Sequence, residues 1–167
     1  QSQLKHFVAN EQETDRNNSS SNVDPRTLRE IYTLPYEIAI DRGDVGSVMC
    51  AFNQVNHEWS CGNEGLLAGI LKREIGFDGW VVTDFGARHY LTDRPPSLRA
   101  GLDQELNAWR YWTPMAIKDL IAQGRLSVAD VDEAAYRIVR AHIASGLFDV
   151  PRISAPDADV STPQSEA

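Results

Sequence analysis

An α/β fold of parallel strands alternating with helices is what this 167-residue sequence predicts, and three observations predict it. Short apolar, β-favouring runs alternate with longer stretches of helical periodicity through four repeats, an order that requires parallel pairing through right-handed crossovers. Helix signals fall between those runs: Asp24-Pro25 and Ser127 read as starts, Gly43 and Gly76 as stops. The run Trp80-Val81-Val82, preceded by Gly79, leads to a carboxylate, Asp84, just past the strand's C-terminal end. In α/β proteins that edge is where loops build the site, so Asp84 is a candidate for chemistry; capping the next helix is the competing role. Four strand–helix units amount to half of a (β/α)8 barrel. A doubly wound open sheet is the alternative, weakened because no Gly-x-Gly-x-x-Gly follows any strand.

The first strand is expected over Leu4 to Ala9, with Lys5 and His6 inside an otherwise apolar run. Adjacent strand residues point to opposite faces, so these two share a site only if the strand ends there. Asn10 to Ser21, polar and carrying Arg16, reads as a long loop. A helix then begins at Asp24-Pro25, with Leu28, Ile31, Tyr32, Ile38 and Ala39 as its apolar stripe and a kink at Pro35. The second strand is expected over Val45 to Phe52, a polar loop over Asn53 to Cys61, and a helix over about Asn63 to Ile75 whose face is Leu66, Leu67, Ile70 and Leu71. After Asp84, residues 88–96 read as a short helix or loop, and Ala100 to Leu106 as a fourth strand leading to Trp109, Tyr111 and Trp112. Helices over Met115 to Gln123 and Asp130 to Ser145 follow, the latter with Val131, Ala135, Ile138, Val139 and Ile143 as its core face. The Pro- and Ser-rich segment from Pro151 reads as a linker.

Composition sets outer limits. The net charge of -8 is scattered rather than blocked, which argues against a nucleic-acid partner. No run approaches membrane-spanning length, and the first residue is Gln1 rather than Met, so the compartment stays open. Cys50 and Cys61 could pair, but spacing without geometry does not decide it. His6, His57, His89 and His142 are isolated in sequence, with no ligand spacing for a metal, and no Gly-x-Ser-x-Gly elbow marks a serine nucleophile. No cofactor is expected.

Five blocks, taken together, resemble glycoside hydrolase family 3. They are Lys5-His6-Phe7 with Asn10, Glu13 and Arg16; Leu28 to Tyr32 with Pro35; Val48 to Asn56; Ile75 to Gly79 with Asp84, Gly86 and Ala87; and Ala100 to Asp103. The resemblance covers roughly residues 4 to 149 and implies the second half of a catalytic barrel, over 1–149, with 150–167 as a linker toward a following domain. It implies retaining hydrolysis of a β-glycoside with Asp84 as nucleophile, Lys5 and His6 on the sugar hydroxyls, and Met49, Phe52 and Phe85 lining the sugar site. Arg16 and Asn10 are expected to organise the long loop rather than to react. Two positions depart from the family pattern: Phe52 stands where Tyr is common and Phe85 where Trp is common. The acid/base of the β-glucosidase branch comes from a following domain. The N-acetylhexosaminidase branch carries it on Pro-Gly-His-Gly, whereas this chain has Val8-Ala9-Asn10-Glu11. A non-catalytic sugar-binding or structural half-barrel is the alternative from another class. An open barrel edge would also invite pairing with the other barrel half or with a second copy.

Overall fold

The computed structural model describes residues 2–87, 97–106 and 111–149. The readings made above for 88–96, His89, Trp109 and the linker therefore lie outside the described residues. Three parallel strands form the central sheet: β1 (Ser2–Phe7), β3 (Val45–Cys50) and β6 (Trp80–Val82), in the order β1-β3-β6. Between them the polar loops build a second, smaller sheet of β2 (Ser20–Ser21), β4 (Gln54–Val55) and β5 (Glu58–Trp59), where a plain loop over Asn53 to Cys61 was expected. The expected fourth strand is not built as one. Helix α3 (Ser97–Ala100) takes its first residue, Ala100, and beyond it only a bridge between Val82 and Gln104 continues the parallel order among the described residues.

The first helical region starts where Asp24 caps it. The Asp24 carboxylate accepts from the amides of Arg26 and Thr27 at 3.0 and 3.1 Å, and hydrogen bonding by the Thr27 side chain, then by its amide, holds the Asp24 pKa below the ordinary value. The region then runs as α1 (Pro25–Thr27), a π-helical segment Leu28–Thr33, and α2 (Leu34–Arg42), with Pro35 in the first turn of α2. The wide π turns rotate the face: Leu28, Tyr32, Tyr36 and Ile40 pack on the core, whereas Ile31 and Ile38, expected in the stripe, are exposed. A second π-helical segment, Gly65–Glu74, buries Leu66, Leu67, Ile70 and Leu71 as expected and stops at Gly76, whose φ of 80° suits glycine. Gly79 is required for a different reason: a Cβ there would collide with the Gly46 carbonyl and the Phe77 ring.

Strand alternation sorts the core into two faces. Val48, Cys50 and Val81 meet Leu67, Leu71 and Phe7, while Met49, Trp80 and Val82 pack with Ala141 and Ile138 of the last helix. Helices α4 (Pro114–Ala122), capped by Thr113, and α5 (Val128–Ala144), opened by a Ser127–Asp130 capping box, close a third cluster around Leu98, Leu126 and Ala134. The buried side of α5 is Val131, Ala134, Ile138 and Ala141; Ala135, Val139 and Ile143, expected inside, face outward. No described helix is long and apolar enough to cross a membrane.

Cys50 and Cys61 form a disulfide with Cα atoms 5.2 Å apart, resolving the pairing that spacing left open. Closing so short a loop restricts the unfolded chain by about 3 kcal/mol.

A buried ion cluster ties the helices to the sheet. Asp103 accepts from Lys72 Nζ at 2.6 Å, from the Val81 amide at 2.8 Å and from Arg137 at 2.9 Å. Burial pushes the Lys72 pKa down to about 8, with Asp103 opposing that shift. The folded pKa lies below the ordinary 10.5, so between these values the unfolded chain binds more protons and stability rises with pH. Urea unfolding at pH 8 and pH 9.5 is therefore expected to show a gain for the wild-type chain that Lys72→Met lacks; equal changes in both would overturn this assignment. Tyr36, whose pKa is raised by burial and by Glu11, acts in the opposite sense only above about pH 10.

Candidate functional site

The site lies where β1 and β6, with β3 between them, reach their C-terminal ends. Past Val82 the chain is held in place by Thr83, whose amide donates to the Gln104 carbonyl at 3.0 Å and whose Oγ1 accepts from the Leu106 amide at 2.9 Å. Asp84 follows at the start of a turn closed by the Ala87 amide on the Asp84 carbonyl, with Gly86 at a φ of 73°. Asp84 Oδ1 accepts from the Phe85 amide at 2.6 Å, while Oδ2 faces His6 Nε2 at 3.3 Å. One carboxylate oxygen is thus pinned by the backbone and the other is presented to an imidazole. The His6 side chain keeps 30 % of its surface exposed, so the pair sits at the mouth of the site rather than in the core. A carboxylate fixed in this way can attack an electrophilic carbon or accept a proton, and the imidazole beside it can exchange hydrogen bonds with a hydroxyl.

The other residues named from sequence fall around this pair. Lys5 is exposed and has no ion-pair partner among the described residues. Met49, in register with Val82, is buried in the apolar cluster with Trp80 and Ala141. Phe52 is half-buried beneath Arg16, whose guanidinium lies 4.4 Å from the ring centroid and pairs with Glu13 at 2.8 Å. Asn10 Nδ2 donates to the same Glu13 at 3.3 Å. Phe85, next to Asp84, exposes 63 % of its surface. Tyr111 and Trp112 are half-buried, and the Trp112 amide donates to the buried Glu105 carboxylate at 2.9 Å. The described residues contain no cluster of three His, Cys, Asp or Glu side chains that could hold a metal.

Sequence reasoning singled out neither Asn53 nor Asp103 as a structural anchor. Both are buried polar side chains whose partners come from distant segments, and the one local signal was a polar residue immediately beside an apolar run.

The sequence and the fold both have known relatives. The model of the glycosyl hydrolase family 3 N terminal domain matches residues 1–141. A probable beta-glucosidase M from Aspergillus flavus is 36% identical over 172 residues, covering 95% of this chain and 22% of that protein. Beta-glucosidase cel3A from Pyricularia oryzae is 37% identical over 147 residues, covering 84% and 20%. Among solved structures, DesR, a beta-glucosidase from Streptomyces venezuelae in complex with D-glucose, aligns with a TM-score of 0.79 at 34% identity, covering 94% of this chain and 21% of that one. The beta-D-glucoside glucohydrolase from Trichoderma reesei gives 0.82 at 34% identity, covering 91% and 22%. The chain spans about a fifth of the length of these relatives.

Proposed function

Because the chain belongs to glycosyl hydrolase family 3, we propose that it supplies the nucleophile half of a retaining β-glycosidase active site acting on terminal β-glucosides. The observation that carries this reading is the approach of His6 Nε2 to Asp84 Oδ2 at 3.3 Å, between residues 78 positions apart in the chain. In the proposed reaction an Asp84 oxygen bonds to the anomeric carbon as the glycosidic C–O bond breaks. A general acid protonates the leaving oxygen, and water then cleaves the glycosyl ester with that same group acting as base. Lys5 and His6 hold hydroxyls of the sugar. Phe85, the most exposed aromatic beside Asp84, suits the apolar face of a sugar ring, with Phe52 and Met49 as deeper walls.

The acid/base belongs to a part of the longer enzyme outside this chain, and its contribution is roughly 10²- to 10⁴-fold. The half-barrel reading, with 1–149 as the barrel portion and 150–167 as linker, draws support from the sheet. Its parallel order leaves β1 as one edge and the segment at Gln104, bridged to Val82 of β6, as the other, and Tyr136, Val139 and Ile143 form an exposed apolar stripe on α5. The missing barrel half is the partner that such edges fit.

A 2-deoxy-2-fluoro-β-glucoside with a good leaving group needs little help from the acid. Intact mass after incubation is expected to show one adduct per chain, on the peptide containing Asp84, in this chain or in a longer polypeptide that carries it. Asp84→Asn is expected to abolish the adduct. Labelling elsewhere, or in neither polypeptide, would overturn the assignment.

A further inference from the structure

We infer that Asn53 is a positioning residue for the His6–Asp84 pair, an inference that rests on the reading of that pair as the sugar site. The need for such a residue follows from β1. Its register with β3 is irregular between Leu4 and Phe7, so the ladder does not fix the strand where His6 sits. The Phe7 carbonyl still finds the Ala51 amide at 2.7 Å. Beyond it the chain turns away through Ala9, at a φ of 60°, and Val8 and Ala9 are buried, so their carbonyls need donors from elsewhere.

Asn53 provides them. Its side chain is buried, and its Nδ2 lies 3.2 Å from the Val8 carbonyl, 3.0 Å from the Ala9 carbonyl, 3.0 Å from the Gln54 carbonyl and 3.4 Å from Ser21 Oγ. Ser21 Oγ itself donates to the Ala9 carbonyl at 2.7 Å. An NH2 facing four oxygens admits one amide orientation, because the flipped group would turn its own oxygen on them. The clamp is in turn anchored. The Asn53 carbonyl accepts from both the amide and the hydroxyl of Ser60, at 3.1 and 2.8 Å, and the Cys50–Cys61 disulfide closes the loop that carries it. The path from clamp to site is short: Asn53 holds the backbone two and three residues beyond His6, and His6 meets Asp84.

The test reads the His6–Asp84 contact directly, without turnover. In the wild-type chain, Asp84→Asn is expected to shift the His6 Nε2 resonance in long-range 1H–15N spectra at fixed pH. In an Asn53→Ala background the same substitution is expected to shift it by less than half as much, since the two side chains no longer meet. Residues that fill space without positioning the pair would leave the two shifts equal. Ser21→Ala removes one donor to the Ala9 carbonyl and leaves the apolar core intact, so it serves where Asn53→Ala does not fold; an intermediate loss of the shift is expected. A full shift in either folded background overturns the inference, as does the absence of any shift in the wild-type chain. Failure of the glycosidase reading shows separately, as missing Asp84 adduct with the coupling intact.

Discussion

Asp103→Asn is expected to destabilise the chain by about 3–5 kcal/mol, the range for removing one partner from a buried ion pair. The side chain of Asp103 is 1% exposed and that of Lys72 9%, so water cannot replace the lost charge. An amide in the same place would offer one oxygen to three donors, Lys72 Nζ, the Val81 amide and Arg137, and would turn an NH2 toward at least one of them. Two cations would then face a neutral group, with Glu133, paired to Arg137 at 2.8 Å, as the one carboxylate among the described residues acting on both. The loss should appear as a lower urea midpoint with an unchanged slope. A change below about 1 kcal/mol, within what exposed pairs contribute, would show that the cluster relaxes to solvent. Replacing Asp103 and Lys72 together by apolar residues of similar volume should recover part of the loss, because the cost lies in the stranded charge rather than in the absence of the pair.

What could be read from the residues, and what could not, divides along local and tertiary lines. Asp24, Thr113 and Ser127 start helices through bonds to amides two or three residues away, and only Thr113 escaped the sequence reading. Of the three central strands, β3 and β6 were legible because burial on both faces leaves continuous apolar runs, whereas β1, largely exposed before Phe7, was read two residues too far along, over Leu4 to Ala9 instead of Ser2–Phe7. Family membership, which the five blocks predicted, is shown by the match over residues 1–141. The face of α5 was misread for a reason of size: apolar residues lie on both sides of it, and the small Ala134 and Ala141 are the ones buried where the helix meets the rest of the fold. In the first helical stripe Leu28 and Tyr32 face the core as read, but Ile31 and Ile38 do not, because π turns shift the period away from 3.6, which no pattern match at that spacing detects. The fourth strand reduced to one bridge at Gln104, since Asp103 and Glu105 spend their side chains on Lys72, Arg137 and the Trp112 amide instead of continuing an apolar run. Anchors such as Asn53 have partners more than 40 residues away, at Val8 and Ala9, and no local signal encodes that distance.

Phe7→Ala carries the second large expected effect, about 3–5 kcal/mol, the range for truncating a buried aromatic ring. Phe7 is fully buried and packs edge-on against Tyr36 with ring centroids 4.9 Å apart, inside the cluster that also holds Leu67, Leu71 and Val48. Its neighbours are fixed by strands and by the disulfide, so the cavity cannot close at little cost. Two further readouts make the result specific. Loss of the ring opens Tyr36 to water, so its phenol pKa, raised mainly by burial, should move back toward the ordinary value in ultraviolet titration. Phe7 is also the residue after His6, so the coupling of the His6 resonance to Asp84 should weaken as well. Phe7→Leu, which keeps most of the volume, should cost less and leave that coupling nearly intact. A Phe7→Ala chain that loses stability but keeps full coupling would mean that the core and the site are held independently, with the polar clamp at Asn53 sufficient to place His6. Loss of both would mean that the apolar core beneath β1 and the clamp beyond it act on the same few residues.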